Sequence, residues 1–101
     1  MHERAEAQIN AGDLAAAAKS LERALSIQPQ NARSWNLLAH LRAEQSQYQM
    51  AADIAAKSNS MVAADETTLR KDNLLLIAKM KSLLGQSAEA EQVLQKANAI
   101  K

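Results

Sequence analysis

Three stretches of this chain align with one another when they are offset by 34 and then by 39 residues, and this repeat constrains the fold more than any other feature. A period of about 34 residues with small residues at fixed slots is typical of paired antiparallel helices stacked as a solenoid. Solenoids present extended surfaces to other proteins, so the pattern predicts a protein-binding function. The aligned slots are Ala5, Ala39 and Ala78; Gly12, Ser46 and Gly85; Ala17, Ala51 and Ala90; and Leu21, Ala55 and Leu94.

Composition favours an all-α chain and argues against several partners. Alanine, the best helix former, is abundant, whereas strand-favouring aromatic residues make up 2% of the chain. A net charge of +1 gives no reason to expect nucleic acid as a partner. The longest apolar run, 74–78, is far shorter than the ~20 residues that span a bilayer. No signal peptide opens the chain, although a domain cut from a secreted precursor would look the same, and the lack of cysteine leaves cytoplasm and periplasm both open.

The chain is predicted to form one domain, 1–101, of six helices in three antiparallel pairs. Repeats are expected at about 1–31, 32–65 and 71–101, with a five-residue insertion near 61–70 that extends the fifth helix. Asp13, Asn31, the stretch 65–68 and Ser87 supply candidate N-cap oxygens, and Gly85 tolerates the left-handed conformation that ends a helix. The predicted helices are His2 to Ala11, Leu14 to Gln28, 32 to about Gln45, Tyr48 to about Met61, an extended one ending at Leu84, and one from Ser87.

The same residues carry a resemblance to a family. Gly12-Asp13-Leu14 with Ala17, Leu21, Ala24 and Pro29, then Trp35-Asn36-Leu37-Leu38-Ala39 with Tyr48 and Ala51, resembles the tetratricopeptide repeat. Small residues let helices approach closely, so Ala39 is expected against Ala51 and Ala78 against Ala90. Trp35 is interpreted as a core filler, with ligand stacking as the alternative. The larger side chains expected to carry the packing between helices are Leu38, Leu41, Ile77 and Leu84.

The resemblance implies a concave binding face built from the first helix of each repeat. Positions 72, 75, 79 and 83 also share one helical face by their spacing alone. The lysines and asparagines with which similar repeats clamp a terminal carboxylate are mostly missing, so a chaperone-tail partner is not expected. The implied site residues are Arg33, Asn36, His40 and Glu44 from the second repeat, Asp72, Leu75, Lys79 and Leu83 from the third, and His2, Glu6 and Asn10 from the first.

The fifth helix is apolar over more than the single stripe that a surface helix buries. Its excess leucines are candidates for anchoring an apolar segment of a partner, and the alternative is that neighbouring helices cover both sides. Leu74, Ile77 and Leu84 are assigned to the core, and Leu75, Leu76 and Leu83 to the partner surface.

A narrower resemblance lies in the run Ala55-Ala56-Lys57-Ser58-Asn59-Ser60, followed by Asp65, Leu69, Asn73 and Leu76-Ile77-Ala78. It is similar to small periplasmic tetratricopeptide lipoproteins of gamma-proteobacteria, among which are activators of bifunctional class A penicillin-binding proteins, the peptidoglycan synthases. The resemblance implies a lipidated cysteine and a linker upstream of Met1, a tether to the outer membrane, and a role in cell-wall synthesis through a protein partner.

Two other classes of function stay open. A generic scaffold or self-assembling adaptor would have an unrelated partner, and the apolar residues Val93, Leu94 and Ile100 on the last helix predict weak dimerisation. An enzyme is not predicted, because no catalytic constellation or cofactor motif is present. His2 and His40 without a third ligand do not make a metal site.

Overall fold

The structure, a computed structural model, describes residues 13–100, so the predicted helix from His2 to Ala11 lies outside the described residues. Within 13–100 the chain forms five α-helices and no strand, which confirms the all-α prediction for this part. The helices are α1 Leu14–Ile27, α2 Ala32–Glu44, α3 Tyr48–Asn59, α4 Thr67–Leu83 and α5 Ser87–Asn98. The fifth predicted helix, here α4, is the longest of them, as the insertion before it suggested.

Two predicted N-caps are confirmed. The Asp13 carboxylate accepts a hydrogen bond from the Ala16 amide at 3.1 Å, and the Asn31 side chain accepts one from the Ser34 amide at the same distance. Each bond satisfies an amide that has no partner within the first turn of a helix. These caps fix the starts of α1 and α2.

The predicted caps of α4 and α5 are wrong. Glu66 and Gln86 precede these helices, and neither side chain makes a capping hydrogen bond. The Glu66 carboxylate instead accepts from the Ala63 amide at 3.4 Å, because it turns back into the loop. Ser87 is the first residue of α5 rather than its cap, so the turn from Gly85 is one residue shorter than expected.

The turns that end α2 and α4, at the aligned positions Ser46 and Gly85, have the same geometry. Both residues lie in the left-handed region, with φ of 60° at Ser46 and 79° at Gly85. In each turn the following amide donates to a carbonyl of the helix, a Schellman-type end. The two bonds run from Gln47 to Arg42 at 2.9 Å and from Gln86 to Lys81 at 2.8 Å.

The core consists of two apolar clusters that follow the repeat. In the first cluster, residues of α1 pack against larger side chains of α2. In the second cluster, alanines of α2 and α3 pack against larger side chains of α4. Ala39 and Ala51 are completely buried in the second cluster, as the packing argument predicted. The first cluster is Ala17, Leu21, Leu38 and Leu41, and the second is Ala39, Ala51, Ala52, Ala55, Leu76, Ile77 and Met80.

Trp35 packs on the first cluster, but it remains half-buried. Its indole N–H donates to the Pro29 carbonyl at 2.8 Å, and the Lys57 ammonium lies 4.6 Å from the ring centroid. A cation at this distance from an indole face is attracted to it. The core-filling interpretation therefore holds only in part, because one face of the ring lies under a surface lysine.

Two assignments on α4 are corrected. Leu76, expected on the partner surface, is buried together with Ile77, because α4 packs against both α2 and α3 and buries a wider arc than one stripe. Leu84, expected in the core, is 37% exposed, because it is the C-cap and the chain turns away there. Leu75 and Leu83 are exposed, as expected for side chains outside the core.

Candidate functional site

A polar network joins α2, α3 and α4 behind the predicted concave face. The Asn36 amide donates to Asp72 at 2.7 Å and to Asn73 at 2.8 Å. The Asn73 amide donates to the Ser58 hydroxyl at 2.9 Å, and that hydroxyl donates to the Ala32 carbonyl at 2.7 Å. Asn36, Ser58 and Asn73 are buried, so these bonds replace water for groups that are costly to leave unpaired. The network sets the position of α4 along α2.

His40 and Asp72 continue this network to the solvent. His40 Nε2 lies 2.8 Å from Asp72 Oδ2, and both side chains are about half exposed. The hydrogen bond from His40 lowers the pKa of Asp72 most, and the Asn36 bond lowers it further, while partial burial opposes the shift. Asp72 is therefore held as a carboxylate at the edge of the concave face.

A cleft of about 530 Å³ opens beside this pair. One wall is α2, and the other is the segment 65–69 that connects α3 to α4 and begins α4. The inserted residues therefore build a wall of the cleft in addition to lengthening α4. Its lining combines a cation, carboxylates, threonines and leucines, which suits a polypeptide better than a small apolar ligand. The lining residues are Arg33, Asn36, Leu37, His40, Asp65, Glu66, Thr67, Thr68, Leu69 and Asp72.

Next to the cleft, α4 presents a mixed apolar and cationic surface. Leu75 is 39% exposed and Leu83 is 52% exposed, with exposed Lys79 between them on the same helical face. A smaller hollow of about 220 Å³, lined in part by His40, Glu44, Leu75 and Lys79, lies where α2 and α4 meet. His40 and Asp72 line both the cleft and the hollow, so the hollow connects the cleft with the surface of α4 that carries Leu75 and Lys79.

The predicted site residues thus divide by environment. Arg33, His40 and Asp72 line the cleft, and Leu75 and Lys79 line the hollow beside it. Leu83 lies one turn further along α4, outside both. Asn36 reaches the cleft, but it is only 7% exposed and its amide is committed to Asp72 and Asn73. Its role is to position Asp72. The site residues predicted from the first repeat, His2, Glu6 and Asn10, lie outside the described residues.

Sequence reasoning missed the buried polar partners of this face. Asn73 is fully buried beside Leu76 and Ile77, and Ser58 is fully buried in α3. A signal was present, because an asparagine beside the apolar run 74–78 and within the core-facing arc of a helix needs a polar partner. Its partner on α3, 15 residues earlier in the chain, could not be identified without the packing.

Residues 13–100 were compared with the requirements of a metal-binding cluster and of a membrane-spanning helix. No three histidine or acidic side chains converge there as a metal site would require. No helix in this range is long and apolar enough to cross a membrane.

Comparison with known proteins agrees with the architecture. Family models described as tetratricopeptide repeat match residues 1–31 and 20–53. The solved globular C-terminal domain of P. aeruginosa LpoP is similar to this chain, with a TM-score of 0.88 and 34% sequence identity. The match covers 96% of this chain and 91% of the LpoP domain, so it includes both repeats described here and the segment between them. No curated protein matches significantly.

Proposed function

The chain belongs to the tetratricopeptide-repeat family of protein-interaction modules, and from that premise we propose that it binds and activates a bifunctional peptidoglycan synthase, a class A penicillin-binding protein. The proposal includes a periplasmic location, with a lipidated segment upstream of Met1 that tethers the domain to the outer membrane. Two observations support it: the resemblance of 55–78 to periplasmic lipoproteins that activate such synthases, and the similarity to the LpoP domain over nearly the whole chain.

The observation that supports the proposed position of the binding surface is the pair of exposed leucines on α4. Leu75 and Leu83 flank Lys79 on one face and are not needed for the core clusters. Burying the exposed part of each leucine in an interface contributes about 1 kcal/mol, and such apolar anchors dominate many interfaces. Lys79 would attract an acidic segment of the synthase and raise its association rate more than its affinity. Arg33 and His40 extend the same surface into the cleft.

The test measures glycan-strand polymerisation by a class A synthase of the same organism, with and without this chain. We expect stimulation by the parent and loss of stimulation by the double variant Leu75→Ser and Leu83→Ser. The melting temperature of the variant should stay close to that of the parent, because both side chains are already exposed. Met50→Ser is the matched control, since Met50 is 47% exposed on α3 and lines neither the cleft nor the hollow.

Each outcome separates one part of the proposal from another. If the parent stimulates no class A synthase, the synthase role is wrong and the alternative of a scaffold with an unrelated partner is favoured. If the folded double variant stimulates normally, the binding surface lies elsewhere, with the Arg33 and His40 side of the cleft as the next site to test. A large drop in melting temperature would show that the two leucines stabilise the fold instead.

A further inference from the structure

The last helix pair carries a groove that corresponds to a covered surface in the preceding pair. The groove, about 480 Å³, runs between α4 and α5 and is lined in part by Ala78, Lys79, Ala90, Glu91 and Leu94. With the repeat offset of 39 residues, these positions correspond to 39, 40, 51, 52 and 55 of α2 and α3. Those earlier positions form the surface on which α4 lies. The chain therefore contains one covered and one open copy of the same surface.

A second covered copy lies at the start of the described chain. Leu21 of α1 is completely buried in the cluster that it forms with Leu38 and Leu41 of α2. Ala55, in the corresponding slot of α3, is completely buried under α4. Leu94 occupies the same slot of α5 and is 42% exposed. The next helix along the chain buries this slot in the first two pairs, whereas in the third pair the slot is exposed.

The covering helices define what fits the open copy. Each presents two large apolar residues three positions apart, Leu38 and Leu41 on α2, and Ile77 and Met80 on α4. This spacing places both side chains on one helical face. An amphipathic helix with such an apolar pair would bury the exposed part of Leu94 against Ala90, as the α2 pair buries Leu21.

Charge defines the occupant further. His40 contacts Asp72, which lies five residues before the first apolar residue of the α4 pair. Lys79 stands in the slot of His40, so a carboxylate at that place on the incoming helix would face a lysine ammonium group. Glu91 occupies the slot of Ala52, which is buried under α4 in the covered copy. Its carboxylate favours a basic residue on the side of the incoming helix that faces α5.

We propose that the α4–α5 groove docks an amphipathic helix of a partner protein, with a carboxylate five residues before an apolar pair spaced by three. The described residues of a second copy, 13–100, do not present such a helix. Within 13–100 the exposed large apolar residues are Ile27, Met50, Leu75, Leu83, Leu84 and Leu94, and no two of them lie three apart. The groove shares Leu75 and Lys79 with the surface proposed for the synthase, whereas Glu91 and Leu94 belong to the groove alone, so Leu94→Ser tests this proposal separately from the synthase role.

The probe is a synthetic peptide with the α4 sequence, residues 66–84, held helical by a hydrocarbon staple on its solvent side. It carries Asn73→Leu, because Leu75 stands in the slot of Asn36, the residue that bonds Asn73 in the covered copy. Binding to the full chain is measured by fluorescence anisotropy. We expect saturable binding that Leu94→Ser weakens about fivefold, from the exposed leucine area that is lost, while Met50→Ser leaves it unchanged.

A charge exchange tests the orientation of the docked helix. Lys79→Glu should weaken binding of the peptide about threefold, and Asp72→Lys in the peptide should restore binding to that variant. The peptide could instead displace the chain's own α4, and binding of that kind would not depend on Leu94. Equal affinity of the peptide for the parent and for folded Leu94→Ser therefore overturns the proposal. No saturable binding by the parent also overturns it. Sedimentation of the chain alone as a dimer that Leu94→Ser abolishes would assign the groove to a second copy, which equally rejects a partner helix.

Discussion

Replacing Ser46 by glycine should stabilise this protein, although the substitution removes a side chain and adds no new contact. Ser46 is exposed and has a φ of 60°, a conformation that L-residues other than asparagine and aspartate rarely adopt. The left-handed conformation costs a residue with a Cβ roughly 1–2 kcal/mol. Glycine avoids this cost, but its unfolded chain has more conformational freedom, which offsets about 0.5–1 kcal/mol. The net gain in the free energy of unfolding is therefore about 0.5–1 kcal/mol.

Gly85 supplies the reciprocal control in the next repeat. Its φ is 79°, and a Cβ added there would meet no atom within 4 Å, so a substitution introduces backbone strain without a steric clash. Gly85→Ser should lower the free energy of unfolding by the same amount, about 0.5–1 kcal/mol. The double variant Ser46→Gly with Gly85→Ser should unfold close to the parent, because the two turns are separate and their effects add.

Urea denaturation followed by circular dichroism measures these differences, with the slope of the transition expected to be unchanged. A gain of this size corresponds to about 4 °C in melting temperature for a domain of this length. The reasoning is refuted if Ser46→Gly leaves the midpoint unchanged or lowers it while Gly85→Ser behaves as expected. That pair of results would mean that the serine turn relaxes out of the left-handed region in solution.

Three further changes test the packing and the polar network. Ala39→Leu should cost about 1–3 kcal/mol by overpacking against Ala51, and a parent-like urea midpoint would contradict the tight contact. Asn73→Ala leaves the Asn36 and Ser58 side chains short of a buried partner and should cost about 2–3 kcal/mol in the same assay. The pKa of Asp72 is lower in the folded protein than its ordinary value of about 4. The Asp72 carboxylate therefore stabilises the folded state at pH values above about 4, and this stabilisation is lost as the pH falls further. The stability gap between the parent and Asp72→Asn, measured by urea denaturation from pH 6 to pH 2, should therefore close in acid; a gap that is independent of pH would mean that the carboxylate charge contributes nothing.

Local chemistry and the repeat were enough to predict much of the fold. Asp13 and Asn31 cap helices as expected, because an N-cap interaction involves only the next three residues. The repeat aligned Ser46 with Gly85, but the left-handed conformation was predicted for the glycine alone, and the structure shows that the serine adopts it as well. Burial of Ala39 and Ala51 followed from the need for small residues where helices cross.

Predictions on α4 were less accurate, because its environment depends on two neighbouring helices. A single-stripe argument assigns either Leu76 or Ile77 to the core, but a helix that packs against both α2 and α3 buries both side chains. Leu84 follows the apolar spacing of α4, yet the helix ends at Leu83 and the next backbone step turns its side chain outward. The apolar spacing of a helix can continue in the sequence beyond its last residue, but residues beyond that point no longer lie on the same helical face.

The buried polar network links the stability of the solenoid to the geometry of the proposed binding face. Asn36 holds both Asp72, at the edge of the cleft, and Asn73, inside the core, so the carboxylate cannot move without disturbing the contact between α2 and α4. Apolar residues alone would allow α4 to slide along alanine surfaces at low cost, whereas directed hydrogen bonds between buried groups permit one register. The same register determines how far the 65–69 wall stands from Arg33 and His40, and therefore the width of the cleft. We therefore expect Asn73 to affect binding at the proposed face although its side chain is completely buried.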